Sequence, residues 1–93
     1  MKDLSDIERK TMKEFVVSKV ETKNIYERER VKEICDNFCD SCYFENTSLG
    51  EFVEDIRIRL DKLNKLVEDS LTGFYWQPYK KTYEKFLEYI NLI

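Results

Sequence analysis

The chain has 93 residues, 42% of them hydrophobic and 38% charged, with a formal net charge of −3. That size suits a single helical domain over 1–93 with one modest core, and the charge provides no overall attraction to nucleic acid or an anionic membrane. No apolar run approaches the roughly 18–20 residues of a membrane span, and Met1-Lys2-Asp3-Leu4-Ser5-Asp6 lacks the apolar region of a signal peptide, so a cytoplasmic protein is expected.

Two residue types are missing, and each absence narrows the function. The chain contains no His, which removes the commonest general base, the usual partner of a Cys or Ser nucleophile and the commonest metal ligand. It also shows no Gly-rich phosphate loop and no triad spacing, so neither catalysis nor a cofactor is expected. Ala is absent too. Helices must then pack on bulky side chains, towards the wide end of the roughly 8–10 Å interaxial range.

In chain order, the first helix is predicted over roughly 5–22. Ser5 and Glu8 form a capping-box pattern, and Leu4, Ile7, Met12, Phe15, Val16 and Val20 recur at helical steps. A second start signal at Asn24-Ile25-Tyr26-Glu27 opens a helix over 24–44, with Val31, Ile34, Cys35, Phe38, Cys39 and Cys42 along one side. Between Lys19 and Lys23 there is no Gly or Pro, so one long helix bent near Asn24 is the alternative. Ser48-Leu49-Gly50-Glu51 is another capping box, and it opens a helix predicted over 48–72. Its stripe of Leu49, Phe52, Val53, Ile56, Leu60, Leu63 and Val67 is the strongest periodic signal in the chain. Burying it contributes on the order of 10–20 kcal/mol gross, most of which is offset by ordering the chain. Gly73 is placed as a left-handed residue closing that helix, followed by an aromatic linker, Phe74-Tyr75-Trp76-Gln77. Pro78 then starts the last helix, 78–92, with Tyr79, Tyr83, Phe86, Leu87 and Ile90 facing inwards. No strand-like alternation occurs. The expected fold is an all-α, small antiparallel four-helix bundle.

Three constellations compete for a function. Cys35, Cys39 and Cys42 are spaced four and three apart. The spacing resembles the iron–sulfur motif of radical SAM enzymes, which implies a cluster held by three thiolates. This chain departs from that family at Ser41, where an aromatic residue is usual, and in lacking the length and strands of its βα barrel. The same three cysteines with Asp36, Asp40, Glu45 or a partner residue could hold zinc. They also read as one buried helix face of free thiols, with Cys standing in for the missing small residues, and that reading is preferred.

The aromatic corner of Phe74, Tyr75, Trp76, Tyr79 and Tyr83 reads either as a plug for one end of the bundle or as a protein-binding hot spot. The two roles coexist if a ring face stays exposed. The mixed charges of Glu27-Arg28-Glu29-Arg30 read as a solvated helix face. Arg57, Arg59, Lys62 and Lys65 could contact phosphates, but acidic neighbours oppose them, so nucleic-acid binding is not favoured.

The function expected is therefore protein–protein binding by a small non-enzymatic protein, of inhibitor, adaptor or immunity type. In architecture and size the chain looks like the bacteriocin immunity proteins, which are small cytosolic four-helix bundles. The alternatives are a zinc protein using Cys35, Cys39 and Cys42, or a nucleic-acid-binding regulator. Self-association into a homodimer is compatible with a bundle that lacks Ala.

Overall fold

The computed structural model describes residues 3–40 and 46–93. The described residues fold into α1 (Arg9–Lys19), α2 (Ile25–Cys39), α3 (Leu49–Leu66) and α4 (Gly73–Leu92), preceded by a 3₁₀ turn at Leu4–Asp6. None of these helices is long and apolar enough to cross a membrane.

The bundle is up-down-up-down, and α4 is its centre. It packs on each of the other three helices, and α1 packs on α2 as well, whereas the backbones of α2 and α3 do not pack side by side and the two helices meet through side chains such as Phe38 and Phe52. Contacts set the directions. Phe15 of α1 meets Tyr89 of α4, and Phe52 of α3 meets Phe86, so both helices run antiparallel to α4. Arg30 of α2 meets Tyr75 and Tyr79 while Phe38 meets Tyr83 and Phe86, so α2 and α4 run the same way. The core is built on rings, as a chain without Ala requires. Phe38 lies 5.4 Å from Phe52, 5.1 Å from Phe86 and 5.6 Å from Tyr83, centroid to centroid.

Two start signals act as read. The Asn24 side chain accepts the Glu27 N–H at 2.9 Å, separating α1 from α2, and Ser48 and Glu51 form a complete capping box. The Ser5–Glu8 pattern does not. Helix α1 begins at Arg9 instead of Ser5, and Leu4 and Ile7 are both buried ahead of it. A 3₁₀ turn followed by an extended Ile7 folds both inwards, and Glu8 accepts from the Thr11 hydroxyl instead of capping.

The α3–α4 junction also departs from expectation. Helix α3 stops at Leu66, and α4 starts at Gly73, not Pro78. The signal is local: the exposed Asp69 carboxylate accepts the N–H groups of Leu71 and Thr72 at 2.8 and 3.0 Å, an Asx-type turn. These bonds hold the Asp69 carboxyl below its ordinary value. The Gly73 N–H then reaches the Asp69 carbonyl at 2.9 Å. Gly73 is not left-handed. It is needed because a Cβ there would strike the Val67 carbonyl. Pro78 therefore lies inside α4, buried, with its carbonyl accepting from the Thr82 hydroxyl at 2.6 Å. Its missing N–H costs the bond that the Phe74 carbonyl would otherwise receive.

Candidate functional site

Because α4 begins at Gly73, Tyr75, Tyr79 and Tyr83 share one helix and fall at i, i+4 and i+8 on a single face. As a linker, Tyr75 would have had no register with the other two. The structure thus divides the aromatic corner. Phe74 points outwards at 80% exposure, and Tyr75 is 43% exposed. Trp76 packs partly into the core beside Tyr75 and Tyr79, with ring centroids at 4.8 and 5.5 Å, and Tyr83 is buried.

The tyrosine face forms the floor of a cleft of about 320 Å³ between α2 and α3, beside their contact at Phe38 and Phe52. Arg30, Glu33 and Asn37 stand on the α2 wall, and Arg59 on the α3 wall. The two arginines differ in kind. Arg59 donates from Nε to Asp55 at 2.9 Å and from Nη1 to the Tyr83 hydroxyl at 3.2 Å, so its charge is already met. Arg30 lies with its guanidinium carbon 3.9 Å from the Tyr75 ring centre and 5.4 Å from that of Tyr79. Its Nε is sealed from water without a hydrogen-bond partner, and among the described residues no carboxylate pairs with it. A guanidinium over a ring face gains cation–π attraction, which is worth more as water is excluded. Burial, and then Tyr75, raise the Tyr79 phenol above its ordinary value, while the Arg30 charge opposes the shift.

Arg30 therefore differs from the solvated face expected of Glu27-Arg28-Glu29-Arg30: its guanidinium lines the cleft. Spacing held the clue: Arg30, Ile34, Asn37 and Phe38 repeat at helical steps, placing Arg30 at the edge of the α2 core stripe. Arg59, which the sequence shows only as a member of a basic run, gives no such spacing clue.

The cysteine cluster lies elsewhere. Cys35 and Cys39 are free thiols buried against α1. Burial is the main reason that both are pushed up to about 12, which keeps them protonated near neutrality. Above them, Lys13 bridges Asp36 and Asp40 at 3.2 and 3.1 Å. Cys42, which the iron–sulfur and zinc readings both require, lies outside the described residues. Among the described residues no three Cys, Asp or Glu side chains converge on a metal-sized site.

The remaining distinctive surface is apolar. The N-termini of α2 and α4 and the C-terminus of α3 share one end of the bundle. Ile25, Tyr26, Leu66, Leu71, Phe74 and Tyr75 are all exposed there, against Leu92 and Ile93 at the opposite end. Comparison with protein-family models, with curated proteins and with solved structures finds no match to this chain.

Proposed function

We propose that this chain is a non-enzymatic protein-binding module whose partner seats on the apolar end of the bundle. The observation that carries this reading is the concentration there of large apolar side chains that the fold leaves outside its core, Leu71 at 82% and Phe74 at 80% among them. Exposed aromatic and aliphatic clusters of this kind mark interaction sites more often than chance surface. The partner is another protein that presents an apolar surface of its own. The two buried, unpaired thiols suit a reducing compartment, so a cytoplasmic setting belongs to the same proposal.

The test places benzoylphenylalanine at position 74, irradiates cells expressing the chain, and purifies whatever protein is cross-linked. That protein, rebound in purified form, should lose at least tenfold in affinity when Leu71→Asp is introduced, with helicity unchanged. No adduct, or equal binding of the Leu71→Asp variant, refutes the proposal. An adduct of twice the chain mass, with sedimentation at the dimer, replaces the separate partner with a second copy.

A further inference from the structure

We propose that the cleft between α2 and α3 is a binding site for a carboxylate carried on a planar, aromatic body, with Arg30 as the anion's partner. The site consists of one uncompensated guanidinium held against a wall of phenol rings.

The charge count selects a monoanion. Two positive groups, Arg30 and Arg59, face the cleft, but Asp55 already holds Arg59 at 2.9 Å. Glu33 stands on the same wall as Arg30 without pairing to it. Arg30 remains as the guanidinium of the cleft without an ion-pair partner among the described residues, and the neighbouring Glu33 carboxylate would repel a dianion such as phosphate more than a monoanion. Arg30 is also pre-positioned. Its contact with Tyr75 at 3.9 Å fixes the planar fork, so a bidentate carboxylate meets a group already ordered. Its Nε is shut off from solvent and has no hydrogen-bond partner, so the group is held by ring contact and not by an acceptor of the folded chain.

The walls select the body of the ligand. Tyr75 and Tyr79 lie 6.1 Å apart and tilted by 33°, and Phe38 and Tyr83 continue the aromatic surface beneath Arg59. A flat ring stacks on such a surface, and the Asn37 amide on the α2 wall can fix its orientation. At about 320 Å³ the cleft sits at the small end of ligand pockets, which range over roughly 300–1,000 Å³. The shared chemistry, an aromatic group beside a carboxylate, can come from a free organic acid or from a Glu–aromatic pair in a polypeptide. Tyr75 belongs both to this cleft and to the apolar end, but the site does not depend on the partner proposed there.

The experiment titrates the full chain with benzoate, and separately with acetyl-Glu-Phe-amide, while following the Arg30 Nε–H and tyrosine ring resonances. Saturable movement of both sets is expected with at least one probe. Benzamide, acetyl-Gln-Phe-amide and inorganic phosphate should each bind at least tenfold more weakly. Saturation by benzoate assigns the site to a free acid, and saturation by the dipeptide alone assigns it to an acidic side chain. Arg30→Met keeps the apolar stem and should lower affinity tenfold to a hundredfold, with Arg30→Lys in between. Unchanged circular dichroism for both variants excludes misfolding. Absence of saturation with either probe, neutral analogues binding as well as the acids, phosphate competing equally, or Arg30→Met binding like wild type would overturn the assignment.

Discussion

Replacing Gly73 by Ala tests the corrected α3–α4 junction most directly. An added Cβ would lie 3.0 Å from the Val67 carbonyl carbon and closer still to its oxygen, and both are backbone atoms that cannot swing aside. Forcing that overlap apart carries the usual overpacking penalty of about 1–3 kcal/mol. Because Gly73 does not occupy the left-handed region, Ala also recovers about 0.4–1 kcal/mol by restricting the unfolded chain. The net expectation is a loss of about 1–2 kcal/mol. For a chain of this size that corresponds to a Tm lower by about 5–15 °C. Urea denaturation followed by circular dichroism, with Trp76 fluorescence as a second probe, measures it. Gly73→Asn is the discriminating variant. A left-handed C-terminal glycine would tolerate Asn, whereas a glycine required for close approach suffers at least as much from Asn as from Ala. An Ala variant as stable as wild type, or an Asn variant clearly better than the Ala variant, would refute the reasoning.

Three further outcomes are expected. Asn24→Ala and Ser48→Ala should each cost about 1 kcal/mol in urea titrations, while Ser5→Ala should stay within about 0.5 kcal/mol, because only the first two side chains cap a helix. Phe38→Ala should cost about 3–5 kcal/mol by removing the ring that joins Phe52, Tyr83 and Phe86, whereas the exposed Phe74→Ala should be nearly neutral by the same assay. In a Cys42→Ser background, Cys35 and Cys39 should react with Ellman's reagent only on unfolding. Their thiols titrate near 12 when folded but near the ordinary 9.0 when unfolded, so the folded state holds more protons between those values. The stability they contribute is complete below about pH 9 and falls as pH rises towards about 12, and Cys39→Ala should flatten that slope. A slope unchanged by the substitution would contradict the burial.

Much of the fold was readable residue by residue. Leu49, Phe52, Ile56 and Leu63 of the α3 stripe, the inward Val31, Ile34, Cys35, Phe38 and Cys39 of α2, and Tyr83, Phe86 and Ile90 of α4 occupy the buried positions that their spacing requires, while Val53 and Leu60 are partly buried against them. Helical periodicity is a property of the chain itself, so it survives any arrangement of neighbours. The start of α1 and the α3–α4 junction differ from the sequence pattern where tertiary packing outweighs a local signal, and α1 also ends at Lys19, three residues short of the expected 22. At Leu4 and Ile7 core burial displaced a capping box, and at Gly73 an Asp69-centred turn and a close backbone approach displaced a glycine stop signal.

The site was less readable, for a related reason. Tyr75, Tyr79 and Tyr83 stand out in the sequence as aromatic residues, but their common face exists only because α4 starts five residues before Pro78. Arg30 looked like one charge among several, since sequence spacing cannot say that α2 and α3 leave a gap or that Arg30 fills part of it. Sequence alone determined four amphipathic helices, an aromatic-rich α4 and buried positions for Cys35 and Cys39. The arrangement of the helices in space makes α4 the hub and leaves a cleft between α2 and α3 that holds a guanidinium without a carboxylate partner among the described residues. Periodicity specifies which face of a helix is buried, whereas the choice of neighbour depends on side-chain volumes and turn geometry that act across distant parts of the chain.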